Sequence, residues 1–161
     1  NTAIIVAAGR GTRMGPGIDK LFLEVAGLPV VAHTWRRFDR HPEIHHLCLV
    51  VRPGLEADFQ ELATRLDIRK PYTLVPGGAE RQDSVWNGLI RVPSGTEIIA
   101  IQDGARPCTS DNTISRCLES AKRTGAAVAH AGGLFRDLAD TDLFLETFAV
   151  DTWAEHLRQH E

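Results

Sequence analysis

The chain has 161 residues, enough for one domain with its own core, and its 43% hydrophobic and 24% charged residues make an ordinary globular balance. A formal net charge of -3 excludes the global basic field of a nucleic-acid binder, so any anion site must come from local cations. No apolar run approaches the length of a membrane span, and "AIIVAAG" is too short for a secretion signal. Cys48, Cys108 and Cys117 are odd in number and lack CxxC spacing, which points to reduced thiols in a cytoplasmic protein.

Strand and helix signals alternate along the chain. "AIIVAA" (3–8) is a continuous apolar run suited to a strand buried on both faces. "VVAHTWRRF" (30–38) places Val31, Trp35 and Phe38 at helical spacing behind Pro29. "HLCLVV" (46–51) is a second buried strand, and Leu55, Phe59, Leu62 and Leu66 make an amphipathic helix of 55–66. A short strand at 72–75 ends in Pro76-Gly77-Gly78. A helix over 84–92 follows, capped by Ser84 or Asp83. "EIIAI" (97–101) is another buried strand. A helix over 110–125 has caps at its start and Gly125 at its end. Residues 126–131 form a strand, and 151–160 read as helical. This alternation predicts an α/β fold, a mostly parallel sheet with helices on both faces, in a single domain over 1–161. Ligands of such sheets sit beyond the carboxyl ends of the strands. Three polar, glycine-containing segments follow strands here, at 9–20, 77–84 and 103–107, so all three should face one edge.

The first segment, "AAGRGTRMGPGIDK" (7–20), interleaves Gly9, Gly11, Gly15 and Gly17 with Arg10, Arg13 and Lys20. Glycines leave backbone N–H groups uncrowded for phosphate oxygens, and fixed cations add charge. No Gly-Lys-Ser/Thr ends the loop, so it is not a Walker A motif; Met14 stands where a dinucleotide fingerprint wants glycine. Arg13 and Lys20 are placed to meet a triphosphate from two sides. In the second segment, Gly77 and Gly78 permit close approach of a ligand, Ser84 is either a ligand contact or a cap, and Arg81 has Glu80 and Asp83 as candidate partners. In the third, Asp103 and Arg106 follow a buried strand, and Asp103 is a candidate ligand for Mg²⁺, which takes one or two carboxylates plus phosphate oxygens.

"AAGRGTRM" with Lys20, "GGAERQDSVWNGL" (77–89) and "DGARP" (103–107), in this order, resemble the 2-C-methyl-D-erythritol 4-phosphate cytidylyltransferases. The resemblance covers residues 3 to about 130 and implies a Rossmann-like nucleotidyltransferase fold. By position it implies that Ala7, Ala8, Gly9 and Gly11 line a CTP site, and that Arg13 and Lys20 hold the triphosphate and stabilise the transition state. Gly77, Gly78 and Ser84 would read the cytosine, while Asp103 and Arg106 would sit by ribose and phosphates with Mg²⁺ on the triphosphate. The implied partners are CTP and a polyol phosphate, without nucleic acid or membrane, in a cytoplasmic homodimer.

The family pattern thins after about residue 131. Family members are longer and carry an acceptor-side Thr, a dimerising arm and a C-terminal Lys that this sequence does not match. Thr141 and Arg136 are the acceptor-side candidates left. Residues are expected to be missing near Gly133, between Thr147 and Phe148, and after Glu161, so the protein is expected to exceed 17.7 kDa. Competing readings are a cytidylyltransferase for another polyol phosphate such as ribitol 5-phosphate, a non-catalytic nucleotide-binding homologue, and a purine-dependent sugar-phosphate nucleotidyltransferase. The pair Arg13 and Lys20 argues against the second, and "GGAERQDSV" against the third.

Overall fold

The computed structural model describes residues 1–9 and 19–129, together with the backbone of 135–136 and 147–149. Strand β1 (Thr2–Ala7) is the hub of a five-stranded sheet. It pairs in parallel with β4 (His46–Val51) on one side and β6 (Ile98–Asp103) on the other. Strand β5 (Tyr72–Pro76) pairs in parallel outside β4, and β9 (Thr147–Ala149) adds an antiparallel edge to β6. The order is β5-β4-β1-β6-β9. The apolar runs of β1, β4 and β6 belong to strands covered on both faces, which have no reason to alternate.

Ala3, Ile5 and Ala7 of β1 face one core, with Leu47, Leu49 and Val51 of β4. That core is closed by α1 (Val30–Arg40), α2 (Glu56–Leu66) and α4 (Asp111–Thr124), and Trp35, fully buried, packs edge-on to Tyr72 and against Phe59. Ile4, Cys48, Val50, Ile99 and Ile101 point the other way, against Val85 and Leu89 of α3 (Arg81–Leu89). Helices thus lie on both faces, as expected. The chain moves outward from β1 through β4 to β5, then crosses back by way of α3, which packs on β4 and β1, to reach β6. The reversal falls between β1 and β6, where their neighbouring carboxyl ends leave a crevice.

The sequence reading placed most elements within a residue or two, with α4 capped by Ser110, whose Oγ accepts from Thr113 N, and ended by Gly125 at φ 90°. Two differences matter. A hairpin of β2 (Glu24–Val25) and β3 (Leu28–Pro29) was not expected, because two-residue strands carry no periodicity; its turn runs through Ala26 and Gly27 at φ 49° and 76°. Helix α3 starts at Arg81 rather than Ser84, with Glu80 as its cap and the Glu80 N–H donating to Asp83 Oδ2 at 2.9 Å. Short strands β7 (Val128–Ala129) and β8 (Phe135–Arg136) pair antiparallel to each other. The helix expected at 151–160 and the joins expected near Gly133, after Thr147 and beyond Glu161 lie outside the described residues or are not addressed by them.

Gly88 lets α3 lie close on the sheet: a Cβ there would fall 2.8 Å from Ile4 Cγ2 and 3.0 Å from Val50 Cγ2. Both neighbours are stiff β-branched side chains in a packed interior. We expect Gly88→Val to destabilise the protein by about 1–3 kcal/mol, read as a lower denaturation midpoint in urea; an unchanged midpoint would remove the close contact. The cysteines give a second test. Cys48 is fully buried and burial pushes its thiol up to about 12, against a weaker opposing pull from Arg91, whereas Cys108 is exposed. Because the thiolate is the reactive form, maleimide should label native protein at Cys108 and spare Cys48 until denaturant is added.

Candidate functional site

The carboxyl ends of β1, β5 and β6 open into one cleft of about 790 Å³. Its walls include Ala8, Gly9 and Lys20 from the first segment, Gly77 to Arg81 and Ser84 from the second, and Asp103 from the third. The three segments therefore do share an edge. Gly11 and Arg13 lie outside the described residues. Ala7 is fully buried in the main core and is not among the cleft-lining residues, whereas Ala8 and Gly9 are. Thr141 also lies outside the description, and Arg136 is described only as backbone in β8.

Two ladder extensions hold the second and third segments against the sheet. The Gly77 N–H donates to Val51 O at 2.8 Å, and the Gly104 N–H to Val6 O at 2.9 Å. The second segment is compact for a steric reason. A Cβ on Gly77 would lie 2.2 Å from Ala8 Cβ, and one on Gly78 would lie 2.2 Å from Asp83 Cβ. These glycines thus serve close packing of protein on protein at the cleft wall. Ser84 is buried; its hydroxyl donates to Glu80 O at 3.1 Å and accepts from the Gly78 N–H at 3.1 Å. It sits in the first turn of α3, where it braces the turn 77–80; a cap and a ligand contact are the two roles its sequence position suggests. Asn87, which no sequence signal singles out, adds a second brace: its side-chain amide donates to Pro76 O at 3.0 Å.

Asp103 is held from both sides. Arg81 donates to Oδ1 through Nε and Nη2 at 3.1 and 3.0 Å, and Arg106 pairs with Oδ2 at 3.1 Å. The expected partners of Arg81 were Glu80 or Asp83; Asp103 takes it because the third segment ends on the adjacent wall, 22 residues away in sequence. One carboxylate thus collects two cations from two segments. Among the described residues there is no cluster of three or more metal-binding side chains. Asp103 still fits Mg²⁺: it offers hard oxygen at the cleft, and that ion needs only one or two carboxylates when phosphates supply the rest. An oxygen would be freed as an arginine turns to phosphate.

The turn carrying Lys20 is fixed on either side. Leu21 is buried in the main core and its carbonyl accepts from Val31 N at 3.1 Å. Asp19 Oδ1 accepts from the Leu21 N–H at 3.1 Å while its other oxygen pairs with Arg52, just beyond β4. Lys20 is half-buried between these anchors and lines the cleft.

A family model described as 2-C-methyl-D-erythritol 4-phosphate cytidylyltransferase matches residues 2–137. The protein of that name from Pelotomaculum thermopropionicum is 44% identical over 126 residues, covering 78% of this chain and 53% of the relative. Its counterpart from Geobacillus kaustophilus is 41% identical over 126 residues, covering 78% and 55%. The chain spans about half the length of the curated relatives it matches. The crystal structure of a 4-diphosphocytidyl-2C-methyl-D-erythritol synthase from Anaerococcus prevotii superposes with a TM-score of 0.73 at 21% identity, covering 99% of this chain and 74% of that one. At that identity the superposition supports the α/β fold alone.

The packing of Gly77 on Ala8 is open to a direct check. Gly77→Ala forces the first or the second segment to move, and the wall they share moves with it. We expect a lower unfolding temperature. A wild-type value would mean that the two segments do not touch.

Proposed function

This chain belongs to the 2-C-methyl-D-erythritol 4-phosphate cytidylyltransferase family, and on that premise we propose that the protein transfers CMP from CTP to 2-C-methyl-D-erythritol 4-phosphate. The observation that carries the proposal is the convergence of Gly9, Lys20, Gly77, Gly78, Ser84 and Asp103 on a single cleft. In the reaction a phosphate oxygen of the acceptor attacks the α-phosphorus of CTP. A new P–O bond forms, the bond to the β-phosphate oxygen breaks, and pyrophosphate leaves with the bonding pair. The attacking phosphate is already ionised at neutral pH, so no proton has to be removed.

What the protein must supply is alignment and relief of anion–anion repulsion. Lys20 does so from a half-buried position at the cleft, and Arg13 of the same segment is proposed to share that role. Arg81 and Arg106 neutralise Asp103 in the resting site and offer the same donors to phosphate oxygens when CTP arrives. Asp103 is proposed to hold Mg²⁺, which would supply charge neutralisation at the phosphates. The braced turn 77–84 forms the wall against which the base is read, and a pyrimidine-sized slot there excludes purines. A homodimer in the cytoplasm is the proposed setting, the compartment supported by three free cysteines.

The test is pyrophosphate release by the purified protein with each nucleoside triphosphate against a panel of polyol phosphates that includes ribitol 5-phosphate. CTP with 2-C-methyl-D-erythritol 4-phosphate should be preferred and Mg²⁺ required. Equal release with ATP or GTP refutes the pyrimidine slot. Lys20→Ala and Arg13→Ala should each lower kcat by roughly 10²–10³-fold, the scale of a lost transition-state charge contact. Arg10→Ala should cost much less.

A further inference from the structure

We infer that Arg52 is a positioning residue for the reaction, holding Lys20 over the cleft through its ion pair with Asp19. This rests on the proposed role of Lys20 at the triphosphate. Arg52 directly follows β4, a strand hydrogen-bonded on both sides, so its backbone is among the most fixed at this edge of the sheet. Its guanidinium pairs with Asp19 Oδ2. The two side chains are 28% and 26% exposed, so water and salt screen the pair less than a surface pair. The counter-charge this cation finds among the described residues is Asp19, through Nη2, while its buried Nε has no hydrogen-bond partner there.

The other half of the linkage is local. Asp19 Oδ1 accepts from the Leu21 N–H at 3.1 Å, and the Asp19 carbonyl accepts from the Phe22 N–H at 3.1 Å. One carboxylate therefore closes the turn 19–22 with one oxygen and ties it to the end of β4 with the other. Lys20 lies between that tie and buried Leu21. A lysine side chain has four rotatable bonds, and the ammonium finds a developing charge reliably only if its Cα is fixed. The Asp19–Arg52 pair provides that fixity on the side where the glycine-rich segment arrives. Arg52 also forms part of the partition between the nucleotide cleft and a second cavity of about 370 Å³ bounded by Phe22, Pro29, Leu55 and Leu62. Loss of the pair would let the turn relax toward that space.

The experiment is a double-mutant cycle read by steady-state pyrophosphate release. Arg52→Met, which keeps the apolar stem, and Asp19→Asn should each lower kcat about tenfold and change the KM for CTP less than threefold. Arg52→Lys should recover part of the loss. In a Lys20→Ala background, Arg52→Met should cost less than a further twofold, because there is no ammonium left to place. Equal losses in both backgrounds would overturn the inference in favour of a direct or merely structural role. So would a silent Arg52→Met beside a damaging Lys20→Ala. A silent Lys20→Ala removes the catalytic reading of the turn, and this inference with it. Unfolding temperatures of the variants, measured alongside, separate loss of fold from loss of placement; a loss of kcat matched by unfolding at the assay temperature counts against the inference.

Discussion

A strand paired on both sides and buried on both faces has only its ends left for chemistry. β1 is such a strand: β4 and β6 take its hydrogen bonds, and two separate cores take its side chains. The cost of leaving backbone polar groups unpaired in such surroundings confines ligand contacts to the point where the ladder stops. That point is reached at Ala8, and the crossover that carries the chain from β5 back to β6 brings two more strand ends beside it. The cleft is thus a consequence of strand order, which brings Gly9, Lys20, Gly77, Gly78 and Asp103 to one edge.

Burial controlled how much of this was legible in the sequence. β4 was readable to the residue, because "HLCLVV" is an apolar run in a strand covered on both faces. α4 was readable from Ser110 and Gly125, whose roles are local. The start of α3 was not, because Ser84 has the chemistry of a cap while Glu80 and Asp83 hold that position. Ser84 instead spends its hydroxyl on Glu80 and Gly78, a choice set by the tight turn packed on Ala8. The partner of Arg81 was unreadable for a related reason. Nearby Glu80 and Asp83 compete on paper, but helix geometry and the approach of the third segment deliver it to Asp103.

The charged pairs divide into two populations with different work. Arg69 with Asp67, both about 80% exposed, and Arg37 with Asp111 are solvated surface pairs, which contribute at most about 1 kcal/mol. At the cleft, Asp19 and Arg52 are both partly shielded, whereas Asp103 is partly shielded but its two arginines are exposed, and both groups stand where the proposed reaction brings in an anion. A cation waiting for a phosphate without a counter-ion would repel its neighbours and distort the turn that bears it. A carboxylate nearby holds it in place, at the expense of having to be displaced. Asp103 is suited to that exchange because it holds each arginine through a single oxygen.

That the proposed reaction needs no general base bears on a second polar cluster, at the amino edge of the sheet. Buried His41, half-buried Ser115 and exposed Glu43 form a chain that looks like a nucleophile set. The direction of its hydrogen bonds argues otherwise. His41 Nδ1 accepts from the Glu43 N–H at 3.3 Å, so the neutral ring carries its proton on Nε2 and donates toward Ser115 and the Asp111 carbonyl. Ser115 in turn donates to Glu43 Oε2 at 2.7 Å. A serine activated for attack would have to donate to the imidazole, and here the imidazole donates to the serine. The cluster therefore ties α4 to the end of α1, at the edge of the sheet remote from the cleft. The proposed attack of phosphate on phosphorus would require no such set, and the buried histidine serves cohesion instead.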